Sequence, residues 1–286
     1  MSVVNTNVSA SIAQAALAKN DRALGTAMEQ LSTGKKINSA GDNAAGLAIS
    51  SRMTSQIRGL GAAISNANDA ISMVSTAEGA LDEITTMMQR MRELAVQSGT
   101  GTTSAADRTY MNSEYVALRS EIDRIADNTQ WNGQNILDGS AGASVGKSTV
   151  AFQVGVNQNQ TISTSFGNVN NTNGHMSALA STRLSAATIA SAVTVASNAI
   201  TRLDNTIADV SAQRATFGAI SNRLTHAVDN LTNVKTNTEA SRSRIMDPDY
   251  AAATSELART QIIQQAGTAM LAQANQLPQT VLALLQ

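Results

Sequence analysis

Apolar residues from Met53 to Ala95 recur at alternating steps of four and three: Met53, Ile57, Leu60, Ile64, Ala67, Ile71 and Val74, then Ala77, Leu81, Ile84, Met88, Met91 and Ala95. This heptad seam predicts one long helix, roughly 65 Å at the usual rise per residue. The step of three from Val74 to Ala77 should overwind a supercoil locally. A second long seam runs through Ile189, Val193, Ala196, Ile200, Leu203, Ile207, Val210, Phe217, Leu224, Val228 and Leu231, interrupted by Arg214 and Ser221. A shorter third one uses Met111, Tyr115, Leu118, Ile122 and Ile125. A striped helix cannot bury its stripe alone. The expected fold is mainly α: an elongated antiparallel helical bundle.

The chain ends carry stripes of their own. Val3, Ala10, Leu17, Leu24 and Leu31 fall every seven residues in a helix ending near Gly34. Residues 32–43 then break the pattern with Gly, Asn and Asp, and Asp42 or Asn43 can cap the next helix. At the other end Asp247 is the expected N-cap, with Pro248 at the first helical position. The final seam is Ile263, Ala266, Met270, Ala274, Leu277, Val281 and Leu284, with a kink expected at Pro278. Each end is thus a striped helix joined to the bundle through a breaker. Seams kept to the chain ends need something to pack against, and in a monomer the two end helices could pair only with each other, through a narrow seam. Frayed ends on a bundle are the alternative.

Between the long seams, the first helix stops around Ser98-Gly99-Thr100-Gly101. Ser104 with Asp107 reads as a capping box that opens the short helix, which ends near Asp127. Asn132-Gly133 is a hairpin dipeptide and Asp138-Gly139 a second turn signal. Residues 139–185 turn to Gly, Asn, Ser and Thr and lose helical periodicity. Within them Val150, Phe152, Val154 and Val156 alternate, and Ile162 and Phe166 follow a polar stretch. This predicts a small β-hairpin region, 149–156 with 161–166, and a loop at 168–174.

Composition narrows the function classes. Charged residues are 14% and aromatics 2%, with net charge −1. No basic excess is present to neutralise phosphates, so no nucleic-acid partner is expected. Cysteine is absent, which removes disulfides, thiolate catalysis and cysteine zinc sites. No apolar run approaches eighteen residues and no basic-then-apolar signal opens the chain, so neither membrane insertion nor a cleaved signal is expected. His175 and His226 stand apart with no third ligand, so no metal, cofactor or catalytic residue is expected and the chain does not read as an enzyme. Gly59-Leu60-Gly61 resembles part of a phosphate loop, but it lies inside a heptad helix, where small residues serve packing.

Five stretches together resemble bacterial flagellins: residues 89–97 (QRMRELAVQ), 31–50 (LSTGKKINSAGDNAAGLAIS), 152–157 (FQVGVN), 241–250 (SRSRIMDPDY) and 265–286 (QAGTAMLAQANQLPQTVLALLQ). The resemblance covers both ends and nearly all helical segments, in flagellin order. It implies a structural subunit that self-assembles into the flagellar filament, the propeller for swimming. The related hook–filament junction protein is the alternative, and a carbohydrate-binding variant finds no aromatic platform beyond Trp131. The implied organisation is an inner-tube helix at 1–34, a connector at 35–43, outer-tube core at 44–138 and 186–246, a hairpin and loop segment at 139–185 in place of large outer domains, and a C-terminal inner-tube helix at 247–286, with the N- and C-terminal helices pairing as a coiled coil. Val3, Ala10, Leu17, Leu24, Leu31, Ile263, Met270, Leu277, Val281 and Leu284 become the expected assembly residues. The resemblance further implies export through the flagellar secretion channel without signal cleavage. Its partners would be other flagellin subunits, an export chaperone, and cap and hook-associated proteins. The flagellin-sensing Toll-like receptor would read Gln89, Arg90, Leu94 and Glu114. Stripes satisfied only in a polymer would leave the ends disordered alone and ordered in the filament, since burial contributes about 25 cal/mol per Å².

Overall fold

The structure, a computed structural model, describes residues 7–139, 141, 149–169, 182–184 and 188–283, and of 277–283 the backbone alone. Val3, Leu284, His175 and most of the loop expected at 168–174 lie outside the described residues. The elements in order are α1 (Val8–Thr33), α2 (Ala44–Ser98), α3 (Ala105–Asn128), β1 (Gln130–Trp131), β2 (Gln134–Asn135), β3 (Thr149–Gln153), β4 (Thr161–Ser165), α4 (Ile189–Met246) and α5 (Tyr250–Ala283). The mainly α expectation holds, as does the small hairpin region. The chain divides into two compact units, residues 58–235 and residues 1–57 with 236–286, so the division falls inside α2 and α4.

Local chemistry places the helix ends. Asn7 Oδ1 accepts the Ala10 amide at 3.0 Å to open α1, and Gly34, at φ 64°, closes it with an amide bond to Gln30 O. Asn43 rather than Asp42 caps α2, accepting the Gly46 amide at 2.8 Å. Asp42 instead pins the connector, its Oδ2 accepting the amides of Ser39 and Asn38, and these bonds hold its carboxyl below the usual range. The capping box of α3 forms as expected: Ser104 Oγ accepts the Asp107 amide and Asp107 Oδ2 accepts the Ser104 amide, both at 3.1 Å. The expected cap of the last helix is displaced by two residues. Asp249, not Asp247, accepts the Ala251 and Ala252 amides, while Asp247 closes α4 through its amide to Ser243 O. Two carboxylates flank Pro248, and the one beyond it reaches the free amides. The helical backbone of α5 continues through Pro278 to Ala283.

In the unit of residues 58–235, α2 contributes Leu81, Ile84, Met88 and Met91 to a core shared with Tyr115 and Ile122 of α3 and Leu203, Val210 and Phe217 of α4. The seam on α4 is rotated from its expected course. Ala192, Ala199, Thr206 and Ile220 are buried, whereas Ile200 and Ile207 are half-buried and Ile189 and Val193 exposed. Small side chains at the centre let helices approach closely, and bulkier neighbours then cover the flank. Arg108, buried at the start of α3, donates from Nε to Ser98 O and from Nη2 to Thr100 O, both at 3.1 Å. It satisfies carbonyls that the end of α2 leaves free.

Asn132 and Gly133 have φ of 48° and 75°, the two positive values a tight hairpin turn needs between β1 and β2. Strands β3 and β4 pair antiparallel, Thr149 opposite Ser165 and Phe152 opposite Ile162. The hairpin lays Phe152, Val154 and Ile162 on Ala67 and Ala70 of α2 and Ile220 and Leu224 of α4. Gly59 is the notch beneath the hairpin tip: a Cβ there would stand 2.8 Å from Val156 Cγ1. That close approach accounts for a glycine within the long helix.

Candidate assembly surface

The helices α1 and α5 pair in the unit of residues 1–57 and 236–286. Their contacts fix an antiparallel register. Asn7 Nδ2 donates to Ala274 O at 2.7 Å, Asn20 Nδ2 to Thr260 O at 2.8 Å, and Leu17 lies over Gly267. Near the other end the Tyr250 hydroxyl lies against Gly34, and the Lys36 amide bonds Met246 O. Two heptad stripes meet in this way, as their spacing predicts for paired helices.

On α1 the inner stripe is Ala10, Leu17, Leu24 and Leu31 with Ala13, Asn20 and Ala27, all buried or half-buried. On α5 the inner stripe is Ala253, Leu257, Thr260, Gln264, Gly267, Leu271 and Ala274. Among the expected positions whose side chains are described, only Ala274 belongs to that stripe. Ile263 and Met270 lie outside it, 42% and 66% exposed, and Ala266 is also exposed. The sequence reading weighted bulk, and the structure turns the smaller residues inward because Leu17 needs room: a Cβ on Gly267 would stand 2.6 Å from its Cδ2. The missed positions carry a legible signal, a second heptad repeat through Thr260, Gln264 and Gly267. For Leu277 and Val281 the backbone alone is described.

Outside the seam the pair keeps an apolar flank. A groove of about 340 Å³ runs beside it, lined by Ile12, Ala16 and Leu17 of α1 and Ile263, Gly267 and Met270 of α5. Ile12 and Ile262 are each 66% exposed. Surface side chains of this size, gathered along one helix pair, form the kind of patch that marks a protein interface.

A separate polar face lies on α2 and α3 in the other unit. Arg90 Nε bonds Glu114 Oε1 and its Nη1 bonds Glu93 Oε2, each at 2.9 Å. These bonds, led by the one to Glu114, raise the guanidinium above its ordinary value. Gln89 is exposed on the same face. Leu94 does not belong there: at 2% exposure it sits in the core, so the expectation that it anchors a receptor at the surface is corrected. It follows Arg90 by four residues, but the seam widens at this turn and takes Leu94 in beside Ala95. Among the described residues no group of histidine and carboxylate side chains could hold a metal ion, and no helix is long and apolar enough to cross a membrane.

Comparison with known proteins places these features in a family. Residues 4–142 match the bacterial flagellin N-terminal helical region and residues 200–285 the bacterial flagellin C-terminal helical region. A flagellin of Halalkalibacterium halodurans is 46% identical over 260 residues, covering 91% of each chain. The flagellar filament 33 kDa core protein of Treponema phagedenis is 40% identical, covering 99% of this chain and all of the relative. In fold alone, the structure of a candidate flagellar hook-associated protein from Vibrio parahaemolyticus superposes with a TM-score of 0.60 at 14% identity, covering 72% of this chain and 100% of that one. With both helical regions matched in order and the terminal helices paired through their stripes, the chain belongs to the bacterial flagellins.

Proposed function

We infer that the protein is a structural subunit of the bacterial flagellar filament and that the α1–α5 pair is its self-assembly element. The observation that carries this reading is the apolar flank of that pair. Ile12, Ile262, Ile263 and Met270 remain at the surface after the two helices have satisfied each other. Burying several hundred Å² per helix at about 25 cal/mol per Å² contributes on the order of 10 kcal/mol before ordering is subtracted. Other copies of the chain, carrying the same flank, are the partners that cover it. The hook–filament junction reading is not favoured, because near full-length similarity runs to filament flagellins.

The remaining parts of the life history rest on the family and on composition. Export proceeds unfolded through the flagellar secretion channel without signal cleavage, a route suited to a chain with no cysteine and 2% aromatics. An export chaperone and the cap and hook-associated proteins are its transient partners. The face carrying Gln89, Arg90 and Glu114 is what the flagellin-sensing Toll-like receptor reads, with Leu94 supporting it from beneath. The role is structural, and no reaction is assigned.

Deletion of residues 248–286 tests the central reading. The shortened chain should retain the bundle core of residues 58–235 and fail to extend filament seeds in light scattering. Normal growth by the shortened chain would refute the assignment of assembly to the terminal pair.

A further inference from the structure

We propose that the amide pair of buried Asn20 and half-buried Gln264 is a register-determining element of the terminal helix pair, and hence a specificity determinant for assembly. The proposal rests on the assembly role inferred above for α1 and α5.

The leucines cannot set the register. On α1 they repeat at 17, 24 and 31; Leu17 lies over Gly267, and the α5 positions one and two heptads before it, Thr260 and Ala253, are small as well. A slide of one heptad, about 10 Å, would bring Leu24 over Gly267 and leave every such contact alike in kind. Such a slide would also break the Lys36–Met246 backbone bond and draw Gly34 away from the Tyr250 hydroxyl, contacts at the end of the pair that support the register without choosing it inside the seam.

The second pair of rows differs. On α1 it reads Ala13, Asn20, Ala27, and on α5 Leu257, Gln264, Leu271. Each row contains one amide side chain among apolar residues, and in the observed register the two amides meet. Asn20, 8% exposed, donates from Nδ2 to Gln264 Oε1 at 3.1 Å and to Thr260 O at 2.8 Å. Either one-heptad slide would set Asn20 against Leu257 or Leu271 and Gln264 against an alanine. Asn20 could still find a backbone carbonyl, as it finds Thr260 O here, but the amide–amide bond would be lost and both polar groups would face apolar side chains. One polar position in an apolar seam is a known means of choosing a register. The slide would also shift the flank of Ile12 on α1 by about 10 Å against that of Ile263 and Met270 on α5. A neighbouring copy would then meet a different surface.

The test relocates the amides without changing composition. The double variant Asn20→Ala/Ala27→Asn moves one amide by a heptad, and Leu257→Gln/Gln264→Leu moves the other. Each should slow seeded filament growth by about tenfold, the factor expected when a buried polar group loses its partner. The quadruple variant brings the amides together again in the native register and should grow within about twofold of the unaltered protein. Wild-type growth by both double variants would overturn the proposal, and so would a quadruple variant as slow as the doubles, since that outcome assigns Asn20 a purely local role. If the unaltered protein itself does not extend the seeds, the assembly reading fails, which is a separate result.

Discussion

The unit of residues 58–235 and the unit formed from the two chain ends bury different kinds of side chain. The first closes over Leu81, Ile84, Met88, Met91, Tyr115, Ile122, Phe166 and Phe217, all fully enclosed, with the two phenylalanine rings 5.3 Å apart in a tilted pair. The α1–α5 pair in the second fully encloses only small or polar residues, Ala10, Asn20, Ala27, Ala253, Thr260 and Ala274, while its seam leucines, such as Leu17, Leu24 and Leu257, are half-buried and Ile12, Ile262, Ile263 and Met270 are exposed. Buried area per residue sets how much stability an element supplies to itself. The larger unit is therefore satisfied by its own chain. The terminal pair is held by a narrow seam and retains unspent apolar surface, the balance an element needs if a second copy is to complete it.

The contrast can be broken most strongly from the side of the large core. Phe217→Ala removes an enclosed ring and should destabilise the unit of residues 58–235 by about 3–5 kcal/mol, read as a lower midpoint in denaturant unfolding. A loss under about 1 kcal/mol would mean that this core is looser than its burial implies.

A smaller effect comes from Tyr115. Its hydroxyl is buried without a hydrogen-bond partner, and burial pushes it up to about 12 from an ordinary value of 10. The unfolded chain therefore ionises first. The stability tied to the neutral hydroxyl is fully present below pH 10 and is lost as pH rises from 10 toward 12. The loss should be on the order of 2 kcal/mol in pH-dependent melts and should be absent in Tyr115→Phe. The same alkaline loss in the variant would place its origin elsewhere.

Ser104→Ala should cost about 1 kcal/mol, because it removes the oxygen that accepts the Asp107 amide at the start of α3. An unchanged melt would show that Asp107 holds the Ser104 end alone. The smallest effect on the folded chain is expected at Met270. Met270→Ser should move the melting curve by less than about 0.5 kcal/mol, as exposed substitutions do, yet slow seeded growth if the flank is an assembly surface. A marked drop in melting temperature would place Met270 in the folded chain's own core and narrow the difference between the two units.

Much of this was legible along the chain, because local rules act over a few residues. Heptad spacing located α1, α2, α3 and α4 to within a few residues, Ser104 and Asp107 announced their capping box, and Asn132-Gly133 announced its turn. Those signals depend on backbone geometry and on neighbours three or four positions away, all of which the sequence contains. What it left open was the rotation of each stripe about its helix axis. Three apolar positions per heptad allow more than one inward face, and only the opposing helix chooses among them. Gly267 turned inward because Leu17 needed the space, leaving Ile263 and Met270 on the flank. The widened seam at the end of α2 took Leu94 into the core, and Asn20 found Gln264 across 244 residues of chain. Pattern along the chain determined which segments are helical and striped, and contact between distant segments decided which side of each stripe is core and which is surface.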